Sequence, residues 1–336
     1  MIGNDLKMFT DPLSVNTLCK KYNLDFFSGN KNIKIHRIAS IFNATEDSLI
    51  FLYNKSSLNV LHNKKSFVCI TNIKIAQILN ETKSNITILI NEKPKLILYK
   101  LLSQLVKQRQ IEFYIDKTIN ISKSCNISKD VKINKYCYIG ENVFIESETV
   151  LDPGVVIKDN VHIGKNCQIG SNTVISNTKI LNDVKIGSNC NIGGSGFGIE
   201  KIDGKLFKVP HIGNVQIGDF CDIGSGCSID RGTLDTTTLG DHVCIDNQCH
   251  IAHNVIIGDN TIIAGQSAIS GSTIVGKNCV IGGQVGISDH LEIVDDVIIL
   301  SKSGVTKDLK KACKYVGFPA QPSREFWRKK LNKNKK

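Results

Sequence analysis

The chain has 336 residues, 42 lysines and arginines against 31 acidic residues, a net charge of +11 and 41% hydrophobic content. That composition suits a globular protein of two or three domains and excludes a disordered or collagen-like chain. No apolar run reaches the roughly 18 residues that a membrane span needs. The start, MIGNDLKMFTDPL, lacks the basic-then-apolar order of a secretory leader, so a cytoplasmic protein is expected. The lysines are scattered except near the C-terminal end and accompany an abundance of Ile and Asn. The positive charge is therefore read as solvated surface and not as a nucleic-acid footprint, leaving open a basic patch for an acidic protein partner.

Residues 1–118 show no repeat. Ser66–Thr71 and Ile86–Asn91 read as strands. Pro94–Gln108 reads as a helix, with Leu96, Leu101, Leu102, Leu105 and Val106 on roughly one face and Pro94 suited to its start. A small α/β domain is expected.

Residues 119–307 carry a six-residue period. One register holds Ile121, Ile127, Ile133, Ile139, Ile145, Leu151, Ile157, Ile163, Ile169 and Ile175; another runs every six residues from Leu239 to Val305. Shorter runs, Ile180–Ile186–Ile192 and Ile217–Ile223–Ile229, lie between. The period fits neither an α-helix nor a coiled-coil seam. Being even, it keeps an aliphatic side chain on one face of a strand and leaves room for a turn, where Gly and Asn tolerate positive φ. Three hexads would close an 18-residue triangular coil, and stacked coils would form a parallel β-helix of roughly ten turns.

Twelve cysteines are present, without a zinc-ribbon CxxC pair. Eight of them (Cys125, Cys137, Cys167, Cys190, Cys221, Cys227, Cys249 and Cys279) sit two residues before a repeat aliphatic, so they read as packing residues and as reduced thiols. The ladder stops at Gly193–His211, a Gly-rich loop, and again between Ile229 and Leu239. Insertions of this kind map to external loops, often on the binding face. Residues 308–336 form a basic tail with the only Trp, Trp327, and Ser323 placed to cap a short helix.

Of eight histidines, His253 and His290 stand out. They are two coils plus one residue apart, so about 10 Å apart along one column. Gly271 lies 18 residues after His253, one coil above it. An imidazole beside a backbone N–H suits acyl transfer, with a general base and an oxyanion donor.

The segments IDRGTLDTTTLGDHVCIDNQCHIAHNVIIGDNT (229–261) and ISDHLEI (287–293) resemble UDP-3-O-(3-hydroxyacyl)glucosamine N-acyltransferases, and the likeness extends over nearly the whole chain. The resemblance implies a mainly β fold: a left-handed parallel β-helix of hexapeptide repeats with a small N-terminal α/β domain and a short C-terminal helical tail. It implies a homotrimer of lipid A biosynthesis, moving an (R)-3-hydroxyacyl chain from acyl carrier protein to the 2-amine of a UDP-sugar lipid, with no metal or bound cofactor. By it, His253 is the base, Asp246 its carboxylate partner and Gly271 the oxyanion donor. His290 contacts the nucleotide phosphates or assists the reaction, and Phe51 and Asn54 hold the uracil nucleotide. Asp246 and His253 occupy different faces of one coil, so their pairing is expected across a subunit boundary. The chain departs from the family at Ser57, where a second stacking aromatic is usual, at Ser195, usually Asp, and in a shorter C-terminal extension. The rival readings are an O-acyltransferase of the same pathway, a γ-type carbonic anhydrase using His253 and His290 as zinc ligands, and a non-catalytic scaffold.

Overall fold

The computed structural model describes residues 8–54, 67–81, 85–107, 112–119 and 121–333. Contacts divide the chain into two units, Met1–Ile111 and Glu112–Lys336. Ile115 bridges to Ile133, which ties the segment before residue 119 to the coil. The tail is tied to it as well, because Lys314–Val316 adds a strand beside Ile298–Ile299.

The first unit has a six-stranded sheet. Its strands are β1 (Met8–Ser14), β2 (Asp25–Ser28), β3 (Lys34–Ile38), β4 (Ser48–Phe51), β5 (Val68–Thr71) and β6 (Thr87–Ile90), in the order β1-β3-β4-β5-β6-β2. The inner four are parallel and the two edges antiparallel. Helices α1 (Val15–Tyr22), α2 (Ile73–Glu81) and α3 (Pro94–Lys107) cover it. The strands SLIF and VCIT are apolar almost throughout because both faces are covered. Leu49 packs with Val15, Leu18, Ile97 and Leu101, whereas Ile50 and Leu52 pack with Phe67, Ile75 and Leu79. Ser14 accepts a 3.0 Å hydrogen bond from the Thr17 amide and so caps α1, which Asn23 ends at φ 50°.

In the second unit the hexads form two-residue strands stacked in three parallel sheets. Plain coils stack residues 18 apart, as in Ile145 on Ile163 and Ile251 on Ile269. Ile, Leu and Val fill the interior along its length. Cys167, Cys190, Cys221, Cys227, Cys249 and Cys279 are buried and unbridged. Their thiols bond to carbonyls of a neighbouring coil, for example Cys227 to Asp246 O at 3.2 Å, as the Thr261 hydroxyl does to Gly276 O at 2.9 Å. Burial pushes the Cys167 thiol up to about 11 and the Cys221 thiol up to about 12, so neither is a thiolate at neutral pH. Corner residues such as Asn160, Asn254 and Asn278 take positive φ, which Asn tolerates better than most side chains.

The breaks in the ladder change coil length without changing which residues face inward. Ile163 stacks on Ile180, Ile180 on Ile217 and Ile217 on Leu239, spacings of 17, 37 and 22 residues. The long insertion carries an exposed hairpin, Ile199–Ile202 with Lys205–Lys208. Asp203 and Gly204, at φ 49° and 78°, make its two-residue turn. Sheets of nine strands result on two faces, one fewer turn than the ladder suggests, because the insertions use up residues without adding coils. The tail ends in α4 (Ser323–Lys333), which includes Ser323 in its first turn. No helix among the described residues is long and apolar enough to cross a membrane.

Candidate active site

His253 sits on a coil corner, just after the strand His250–Ile251. Ala268 stacks on His250 and Ile269 on Ile251, so Ser270–Gly271–Ser272 covers the corner. The Ser272 amide donates to His253 O at 2.9 Å, and one coil further the His290 amide donates to Gly271 O at 3.0 Å. His253, Gly271 and His290 therefore share one column, as their spacing predicts.

Contact within the column is close. A Cβ on Gly271 would lie 2.6 Å from His253 Cε1 and 2.7 Å from Nε2, so the imidazole lies against the glycine and excludes any side chain there. The Gly271 N–H has no hydrogen-bond partner among the described residues. His253 Nδ1 is 3.1 Å from Asn254 Oδ1. The Thr233 amide also donates to that atom at 2.9 Å, which identifies it as the oxygen of the side-chain amide. An amide oxygen only accepts, so Nδ1 carries the proton and Nε2 the lone pair. Nε2 is thus the basic atom.

The column opens on a pocket of about 390 Å³ lined by Phe197, His250, His253, Ser270, Gly271, Asp289 and His290. The long insertion supplies Phe197, and it also packs Gly196 and His211 against His253. The His211 ring meets that of His253 at 4.8 Å and 62°. It is 2% exposed, and its Nδ1 bonds to Val209 O at 3.0 Å. On the other side, His250 Nε2 bonds to Asp230 Oδ2 at 2.9 Å. Sequence reasoning singled out neither His211, His250, Asp230 nor Asn254. Only the resumption of the hexad just after His211 and the outward strand position of His250 hinted at them.

Asp246 occupies a different corner, after the strand Cys244–Ile245. Its carboxylate accepts from the Asn247 amide at 2.7 Å, Asn247 Nδ2 at 3.0 Å and the Gly265 amide at 3.1 Å. Within one chain it does not reach His253. It borders an open groove with Gly265, Gly283, Ser301 and a ladder of glutamines, in which Gln266 donates to Gln248 at 3.1 Å and Gln284 to Gln266 at 2.7 Å.

In the first unit Phe51 ends β4, partly buried against the cluster of α1 and α3, and Asn54 is exposed just beyond it. Ser57 lies outside the described residues. A cavity of about 920 Å³ opens beyond the C-terminal ends of β5 and β6, lined in part by Asn72, Lys74, Asn91 and Lys93; neither Phe51 nor Asn54 lines it. Among the described residues no group of three or more His, Cys, Asp or Glu could hold a metal ion.

The His250–Asp230 pair has a consequence for stability. The hydrogen bond to Asp230 raises the His250 pKa from its ordinary value, and partial burial opposes the shift. A raised folded-state value means that the protonated pair stabilises the fold fully below the unfolded histidine value, ~6.5, and less as pH rises through the higher folded value. Asp230→Asn should therefore lower the thermal midpoint most in acid, and the gap from wild type should narrow above neutrality. Melting curves from pH 5.5 to 9 check this. A gap independent of pH would mean that the pair contributes only packing.

Residues 236–271, which include Asp246, His250, His253 and Gly271, match the family described as bacterial transferase hexapeptide (six repeats). Residues 141–212 match the GMPPB C-terminal domain. Among solved structures, the chain is similar to UDP-N-acetylglucosamine O-acyltransferase from Moraxella catarrhalis, at 27% identity over 64% of this chain and 77% of that one, with TM-score 0.48. The Francisella novicida UDP-N-acetylglucosamine acyltransferase is 22% identical over 64% and 73%, with TM-score 0.47. The Campylobacter jejuni enzyme of that name is 23% identical over 60% and 73%, with TM-score 0.44. The chain thus folds as a parallel β-helix of hexapeptide repeats, within which residues 236–271 match the bacterial transferase hexapeptide family.

Proposed function

We propose that this protein transfers an (R)-3-hydroxyacyl chain from the thioester of acyl carrier protein to the 2-amine of UDP-3-O-acylglucosamine, a step of lipid A biosynthesis, without a metal or bound cofactor. The observation that carries the reading is the contact of His253 with Gly271 at the edge of an open pocket. His253 Nε2, unprotonated, takes a proton from the amine as it attacks the thioester carbonyl. The Gly271 N–H is available to the oxyanion that develops on the carbonyl oxygen. His290, exposed at the same pocket, would meet the phosphates of the sugar nucleotide, and Phe51 with Asn54 its uracil. Mass spectrometry of products from purified protein, UDP-3-O-acylglucosamine and a panel of acyl carrier protein thioesters tests the whole reading. Acylation of a sugar hydroxyl instead of the amine would favour the O-acyltransferase alternative, and no product at all would leave the scaffold.

The active form is proposed to be a homotrimer in which Asp246 of one chain serves His253 of the next. The support is geometric, since the two residues lie on different corners of their own chain and Asp246 borders a groove. Trimers mixed from Asp246→Ala and His253→Ala chains should then recover part of wild-type activity, because some sites receive both native residues. No recovery above the parents would place the pair within one chain or dispense with it.

A further inference from the structure

We propose that His250 is the general acid of this pocket, protonating the sulfur that leaves as the acyl group moves to its acceptor. The inference deepens the acyl-transfer reading and rests on it. Of the three imidazoles that line the pocket, those of His250 and His253 come from one coil and have different hydrogen-bond partners. His253 Nδ1 faces a neutral amide oxygen, and no carboxylate of its own chain bonds to it. His250 Nε2 meets the carboxylate of Asp230, which is 8% exposed and held in the preceding coil. A carboxylate favours the imidazolium, so His250 holds a proton at higher pH than it would alone. A general acid needs a proton in place before the reaction, and the hydrogen bond to a nearly buried carboxylate supplies that condition at His250. The other charged or titratable residues at the pocket are Asp289 and His290, from the turn above Gly271.

There is space for the leaving group as well. The outward residue stacked on His250 is Ala268, and the next is Gly286, around whose missing Cβ no atom lies within 4 Å. His250 Nδ1 has no partner among the described residues, and the side chain is 48% exposed. In the proposed step the amine nitrogen forms a bond to the thioester carbon and gives its proton to His253 Nε2. The carbon–sulfur bond breaks, its electron pair stays on sulfur, and sulfur takes the Nδ1 proton of His250. Asp230 keeps the Nε2 proton hydrogen-bonded throughout. The products are an amide and a thiol, with His253 protonated and His250 neutral. Exchange with solvent through the open pocket restores both.

A leaving group acidic enough to depart as thiolate needs no acid, and this separates the role from a structural one. The full-length protein would be assayed with UDP-3-O-acylglucosamine and two donors of the same acyl group, an alkyl thioester of N-acetylcysteamine and an aryl thioester of thiophenol. His250→Gln should lower kcat about 10²-fold with the alkyl donor, the low end for general acid–base catalysis, and less than about 3-fold with the aryl donor. His253→Ala should depress both alike. Asp230→Asn should show the same donor-dependent pattern more weakly, and should lower the pH at which the His250 ring titrates by NMR. Equal losses for His250→Gln with both donors would overturn the assignment while leaving the acyl-transfer reading in place. Failure of the wild type to turn over either donor or acyl carrier protein thioester would remove both.

Discussion

His253→Ala should lower kcat by roughly 10²–10⁴-fold, the contribution of a positioned general base, while leaving KM for both substrates nearly unchanged. The reason is that the Nε2 lone pair is used only as the amine attacks, so a transition-state interaction is lost and uniform binding is not. The residue is partly exposed, and its ring touches Gly271 and His211 without lying in the aliphatic column. The thermal midpoint should therefore move little. His290→Ala gives the contrast. If that side chain holds phosphate, its loss should raise KM for the sugar nucleotide and reduce kcat less. Steady-state kinetics on both variants decide the matter, and a His253→Ala protein with near-normal kcat would require another base in the coil.

Gly271→Ala should cost about as much activity as a 1 Å misplacement of a catalytic group, around 10²-fold, with little loss of stability. Gly271 does not need positive φ, so alanine is tolerated by the backbone. The added methyl would fall 2.6–3.1 Å from three ring atoms of His253, and the nearest movable object is the imidazole itself. The effect should thus pass through His253. Combining the change with His253→Ala should give a protein scarcely worse than His253→Ala alone, since the two act on one interaction. Additive losses would show that Gly271 contributes separately, for instance through its N–H alone. A fall in thermal midpoint matching the fall in rate would assign the glycine to the fold.

The neighbouring glycine, Gly196, shows how different the long insertion is. A Cβ there would lie 2.8 Å from both His211 Nε2 and His253 Cβ, so the loop must approach as bare backbone to seat His211 against the base. The sequence marks this segment as an interruption and a candidate for the binding face, and Phe197 indeed lines the pocket. It does not indicate that His211 would come to rest against His253, because the contact joins residues 42 positions apart through an insertion of irregular length. Likewise Asp230 and His250 stand 20 apart, across the coil of 22 residues, a spacing that the 18-residue rule would misalign.

By itself the sequence determined the β-helix, the inward Ile and Cys ladders and the column of His253, Gly271 and His290. All three follow from a local period: a hexad repeats the same backbone every six residues, so register propagates and residues 18 apart must stack wherever coils are plain. It also located the strands near residues 68 and 87 and the helix from Pro94, since alternation and amphipathic spacing are local as well. Only the tertiary structure decided what crosses the irregular coils. It set the 17-, 37- and 22-residue spacings, the seat of His211 and the His250–Asp230 bond. Those contacts depend on how inserted loops fold back onto the coil, and side-chain packing over long sequence separations leaves no periodic trace in the chain.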